Sequence, residues 1–482
     1  MNDNLKEWMG SGLKMKRWLL LTLIGTGMIG YGFAKVMSSE VSDIKDIITA
    51  AALFIIGFVC VTVSFIMAER RVLQAIAEST TTSSKTVNLK KLLFDKRMLD
   101  KNIKIAVIGG GAGLSNLLKG LKYFSNNITA IVSVASNGSN EETMTRDFGI
   151  LPPDDLRQSL IALSSSEEKM KELMGYKFKK GSLAGQNFGN LLLAAMNDIC
   201  DQNFAKAIQD TSEVLSVTGK VLPVTLDRVK LGAVLRDGTR VIGENDIINK
   251  VIERNVAIEK VFLQPERCAP APDVIRSIKE ADLIVIGPGS LYTGIIPSLL
   301  IKEISDEVKK SKAVKIFVSN IMSEKGQTDN YKVSDLINAI HEHIGKGVMQ
   351  YCLANESNIM PEYIRRYNQE GADVLEVDKN EIKNTGIELI IEDYAQTDDK
   401  GYIRHDPNKL AKSIMRIVCD NMDIAADKKA LEVYMIKSKL KNMNKKNKKK
   451  SILFRDVKVI TNTKKTKKKS SYDNVPIVGQ KK

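Results

Sequence analysis

Two short stretches of this chain carry residues whose type and spacing suit the capture of an anion. In the first, the apolar run Ile105 to Ile108 breaks at Gly109, Gly110, Gly111 and Gly113, and Leu114, Leu117, Leu118 and Leu121 follow at helical spacing. In the second, Leu283 to Ile286 runs into Gly287, Pro288, Gly289 and Ser290, with Tyr292 and Thr293 just beyond. Glycine lets backbone approach a ligand closely, and the free N–H groups where a helix starts attract phosphate. A third strand end, in KIFVSNIMSEKGQTDNY, offers Asn320, Thr328 and Asp329 in the same kind of position.

The familiar nucleotide motifs do not fit. A GxGxxG read from Gly109 puts Leu114 in the last place, and one read from Gly111 puts Asn116 there. The following run, ITAIVSVASNG, lacks the acidic residue that would grip a ribose, and no Gly-Lys-Ser/Thr marks a Walker A loop. Neither NAD nor ATP hydrolysis is supported. His341 and His343 are two residues apart and point to different faces of a helix, which disfavours a metal site. Cys60, Cys200, Cys268, Cys352 and Cys419 form no CxxC pair and read as buried thiols in a reducing compartment.

The elements that position these turns alternate strand and helix, as a doubly wound, mostly parallel α/β sheet requires. In such sheets ligands sit outside the carboxyl ends of the strands, so both glycine turns are expected to face one crevice. LGAVLRDGTRVIGE is different: two short β runs around Asp237 and Gly238 predict a hairpin inside the parallel fold. Helices are expected from Asp273 to Lys279, Val333 to His343 and Pro407 to Met422, and further strands in VMQYCLAN and GADVLEV.

Ahead of this domain lie two apolar stretches, Trp18 to Ala34 and Ile47 to Ala68, of membrane-spanning length. A signal peptide is the competing reading of the first, but no convincing cleavage site follows it and a second span comes at once, so residues 1–69 read as a membrane hairpin. Lys14, Lys16, Arg17, Arg70 and Arg71 flank it, which places both ends and the main domain on the cytoplasmic side. Residues 70–102, with ESTTTSSKTVNLKK, have a linker's composition. The segment 437–482 holds seventeen Lys or Arg against Asp456 and Asp473, which accounts for the whole net charge of +15. It is expected to be disordered when free. Its role is open between contact with anionic lipid, sequence-independent nucleic acid binding and simple solubility.

Taken in order, GGGAGLSNLLKGLK, ITAIVSVASNG, FGILPPDDLRQSLIAL, GQNFGNLLLAAM, VLPVT, ADLIVIGPGSLYTGIIPSLL and NIMSEKGQTDNY resemble the YvcK-type gluconeogenesis factors, a branch of the CofD-like superfamily. The resemblance covers about Ile103 to Ala425. It implies a Rossmann-like fold with a nucleotide-type ligand between the glycine turns. The superfamily's enzymes transfer a phospholactyl group to a deazaflavin using a divalent metal. The YvcK-type branch is associated with cell shape, envelope synthesis and growth on gluconeogenic carbon, and with sensing of a UDP-sugar.

Departures from the family pattern matter as well. Ser136 and Asn137 stand where the branch carries an acidic pair able to bind metal, and neutral oxygens are weaker ligands for hard cations. Ala112 replaces Thr; in PPDDLRQ, Asp155 and Arg157 keep their places while Asp154 and Gln158 do not. Glu141, Glu142 and Asp147 offer other negative charge, read as solvated loop residues. Asn187, Gly189 and Asn190 keep the pattern, and Asn187 is equally a helix cap or a ligand contact. The expectation is a membrane-anchored regulator. Gly109 to Gly113 and Gly287 to Ser290 would surround phosphate, with Thr293 beside them, and Asn187, Asn190, Asn320 and Asp329 would orient the rest. Protein partners in envelope synthesis and an oligomer fit this reading. The alternatives are a magnesium-dependent phospholactyl-type transferase and a scaffold without ligand.

Overall fold

The computed structural model describes residues 16–37, 44–80, 103–135, 145–165, 167–357, 359–398, 400–421, 433, 436–441 and 443. Ser136, Asn137, Glu141, Glu142, residues 81–102 and most of the lysine tail lie outside the described residues. The chain divides into two compact units, Met1–Arg97 and Met98–Lys482.

The first unit pairs two helices, Lys16–Met37 and Ile44–Thr80. Small residues let them meet: a Cβ on Gly57 would lie 2.6 Å from the Gly25 carbonyl oxygen, and the Thr22 and Ser64 hydroxyls hydrogen-bond at 2.6 Å. Large apolar side chains turn outward instead, among them Leu23, Phe33, Ile55, Phe58 and Phe65. Ile48–Met67 is long and apolar enough to cross a membrane. The second helix runs on to Thr80, into the segment expected as linker; no Gly or Pro after Gly57 stops it.

The strands of the second unit are β1 Ile105–Gly109, β2 Ile128–Val132, β3 Lys220–Pro223, β4 Lys230–Leu235, β5 Arg240–Ile242 and β6 Ile258–Gln264. After them come β7 Leu283–Ile286, β8 Val314–Val318, β9 Tyr351–Asn355, β10 Glu388–Glu392, β11 Ala395–Thr397 and β12 Ile403–His405. Seven form one sheet in the order β10-β9-β8-β7-β1-β2-β3, and each neighbouring pair is parallel. The order runs outward from β1 in one direction and from β7 in the other, so the topological switch lies between these two strands. Ile105 pairs with Leu283 and Ile108 with Ile286, so both strands end level and their glycine turns emerge side by side.

Sheet strands covered on both faces must be apolar throughout, and β1 and β7 are fully buried along their lengths. The helix Gly111–Leu121 buries Leu114, Leu117, Leu118 and Leu121, the stripe its spacing predicts. Each contributes roughly 2 kcal/mol of apolar burial, which seats the helix start at the carboxyl end of β1. The helix Pro407–Asn421 crosses it so closely that a Cβ on Gly120 would collide with the Pro407 carbonyl oxygen.

The hairpin around Asp237 and Gly238 forms as β4 and β5, and β6 adds an unforeseen third antiparallel strand. GADVLEV does not form a strand. It makes only the isolated bridges Met322 to Val374 and Lys332 to Glu376, because its partner is the irregular chain after β8, along which no ladder can extend. The tail's first residues are also structured: 436–441 are helical, with Ile436 and Leu440 buried and Lys439 Nζ donating to the Tyr123 carbonyl at 3.1 Å. Ile436, Leu440 and Met443 form an apolar stripe ahead of the lysine runs, and it packs on the core.

Candidate functional site

The two glycine turns touch each other. A Cβ on Gly113 would lie 2.6 Å from the Pro288 carbonyl oxygen, and one on Gly289 would lie 2.7 Å from that of Gly110. Glycine is required at both places because backbone meets backbone. Gly109 likewise sits against Gly287, 3.6 Å from its Cα to an added Cβ. Gly111 has a different reason: its φ is +70°, and nothing lies within 4 Å of an added Cβ. Its N–H is engaged by a carboxyl of the protein itself, for Asp155 accepts it. Burial raises the Asp155 pKa to about 6, aided by Glu244 and Asp154 and opposed by the Gly111 N–H and Arg157.

Beside the turns opens a cleft of about 170 Å³. Gly113 and Gly289 line it from the turns, Asn320 and Glu324 from the chain after β8, and Arg404 and His405 from β12. Asn320 Oδ1 accepts the Gly289 N–H at 3.2 Å, and Asn116 Nδ2 donates to the His405 carbonyl, which pins β12 over the helix Gly111–Leu121. Ser290 Oγ donates to Glu324 Oε1 at 3.0 Å, while Glu324 Oε2 is buried with no partner among the described residues. Burial raises the Glu324 pKa to about 7, with Glu244 adding to the rise and Ser290 and Arg404 opposing it. Burial pushes His405 down to about 4, so its ring is neutral at physiological pH. Ser319 Oγ and Gln327 Oε1 are also buried and unpartnered, so three such atoms fall in one short stretch after β8. Buried polar groups normally find partners.

The other expected site residues have their own partners. Asn187 Oδ1 caps the helix Phe188–Ile199, accepting from the Gly189 N–H at 2.8 Å and the Asn190 N–H at 3.4 Å. Asn190 donates to Asp154 Oδ1 at 3.0 Å and accepts from Arg157 at 2.7 Å. Thr293 is buried behind the second turn, where its carbonyl accepts from Ser133 Oγ at 3.4 Å. Asp329 is exposed and braces its own loop through the Gly326 N–H at 2.7 Å. None of these four lines the cleft. Asn116, Glu324, Arg404 and His405 do line it but were not singled out from the sequence. The adjacent Arg and His in GYIRHDP were the available signal.

Fold and cleft together define an α/β domain of Rossmann type with a polar, partly unsatisfied pocket at the switch point of its sheet. A family model described as 2-phospho-L-lactate transferase CofD matches residues 105–395. A protein of Clostridium acetobutylicum is 38% identical over 441 residues, 91% of this chain and 97% of its own length. A Bacillus subtilis protein named Gluconeogenesis factor is 42% identical over 316 residues, 65% of this chain and 98% of its own. A crystal structure of a Bacillus halodurans protein superposes with a TM-score of 0.62 at 38% identity, over 65% of this chain and 99% of that one. The chain belongs to the CofD family, among the relatives that carry the gluconeogenesis-factor name.

Proposed function

We propose that this protein is a membrane-anchored regulator that binds a nucleotide-sugar-like metabolite, first of all a UDP-sugar. It relays the metabolite's level to cell shape, envelope synthesis and growth on gluconeogenic carbon. The name of the Bacillus subtilis relative supports the metabolic role. The observation that carries the ligand reading is the cleft itself, where two glycine turns, the cationic Arg404 and the unpartnered buried Oε2 of Glu324 converge. Binding would act by population shift, the ligand favouring one conformation of the domain or of a partner complex.

The membrane reading takes both N-terminal helices as spans and the second unit as cytoplasmic. Their outward apolar side chains and inward glycines and hydroxyls support it, since helices in lipid meet through small and polar residues. The lysine tail would add contact with anionic lipid. Titration calorimetry of the detergent-solubilised full chain against a panel of UDP-sugars tests the ligand reading. Saturable heat with at least one of them is expected, and its absence at millimolar ligand rejects the proposal.

The matched family's description favours one second reading, a phospholactyl-type transferase. Among the described residues no group of three or more His, Cys, Asp or Glu is arranged to hold a metal ion. Magnesium-dependent turnover of a phospholactyl donor would establish this reading instead.

A further inference from the structure

We infer that Glu324 is a ligand-contacting residue that stays a neutral carboxylic acid in the bound state and donates a hydrogen bond to an acceptor oxygen of the anionic metabolite. This rests on the ligand reading of the cleft. Ser290 Oγ occupies Oε1, and Oε2 has no partner among the described residues, so half of a buried carboxyl is left for the guest to satisfy. A protonated carboxyl can serve as a donor in an apolar site. An ionised one would repel a phosphate at close range.

The groups facing Glu324 favour the neutral form. Glu244, at the start of the helix Glu244–Arg254, adds negative charge, and among the described residues Arg404 on β12 is the one cation acting on it. Ser290 and Thr328 supply only hydroxyls, Thr328 Oγ1 accepting the Glu324 N–H at 2.8 Å, and His405 is uncharged. Free Glu324 titrates near 7, so an anion that requires its protonated form must take up a proton as pH rises past that value.

The probe is UDP-glucose, whose diphosphate diester stays fully ionised near neutrality, so any proton uptake belongs to the protein. Calorimetric titrations of the detergent-solubilised full chain are run in steps from about pH 6.5 to about pH 8.5. Wild-type affinity is expected to fall about tenfold per pH unit above about pH 7. Glu324→Gln keeps a neutral donor and can still accept from Ser290; it is expected to hold the acidic-side affinity and to flatten the profile. Asp155→Asn, which changes the other raised carboxyl, should leave the slope above pH 7 in place. A flat wild-type profile with binding intact overturns the inference alone, as does a Glu324→Gln profile that keeps the wild-type slope. Absence of binding by the wild type to every UDP-sugar overturns the inference together with the ligand proposal.

Discussion

Four glycines in the first turn look alike in the sequence but serve different physical needs. Gly113 has no room for a methyl group, because the Pro288 carbonyl oxygen lies 2.6 Å from its would-be Cβ. Gly111 has room but a φ of +70°, which costs an alanine about 1–2 kcal/mol. Gly113→Ala must instead push one turn off the other, an overpacking cost of about 1–3 kcal/mol, plus loss of the cleft's geometry. Urea unfolding should therefore show both variants destabilised, while UDP-glucose binding should be lost in Gly113→Ala and largely kept in Gly111→Ala. A Gly113→Ala protein with full affinity would show that turn-to-turn contact does not shape the site. The turns themselves were legible because strand, glycine cluster and helical leucines sit contiguously in sequence. The reason for each glycine was not, since it depends on a partner about 175 residues away whose closeness only the parallel pairing of β1 and β7 creates. Glu324 was hidden for a similar reason: a carboxylate in a loop reads as solvated until Ser290 is brought to it.

Elements differ in how much of their placement is written locally. β1 and β7 are short apolar runs ending in turn residues, and the sequence locates them closely. β12 is three residues long, and its contribution of Arg404 and His405 depends on pairing with β11 and on the Asn116 anchor, neither of which leaves a periodic signal. Residues 371–377 show the converse: a strand-like pattern without a strand beside it yields only bridges. At the start of the helix Phe188–Ile199 the capping reading of Asn187 has its geometry, with Oδ1 accepting from two backbone N–H groups. Asn187→Ala should accordingly cost about 1 kcal/mol of unfolding free energy. It should leave UDP-glucose affinity unchanged in the same preparation. A loss of affinity without a loss of stability would return Asn187 to the ligand.

At the scale of the whole molecule, the chain divides into two units of different character. The Bacillus halodurans structure is matched along 99% of its length by only 65% of this chain, so a domain like the second unit folds on its own. The first unit has the opposite character: its packed face is made of glycine and hydroxyl groups, and its outer face carries Leu23, Phe33, Phe58 and Phe65. A chain beginning at Met98 should therefore bind UDP-glucose within about twofold of the full chain, as separate sites behave additively. It should also leave the membrane fraction, where the full chain is expected to stay through a high-salt wash. The salt wash separates the two possible sources of membrane attachment. Lysines on anionic lipid are held by a screened electrostatic attraction and are released by salt, whereas apolar helices in the bilayer are not. If the truncated chain remains with membranes until salt is added, the tail is the anchor and the helix pair is dispensable. If it remains even then, the second unit carries an apolar attachment of its own, and the division of labour argued from the two units is wrong.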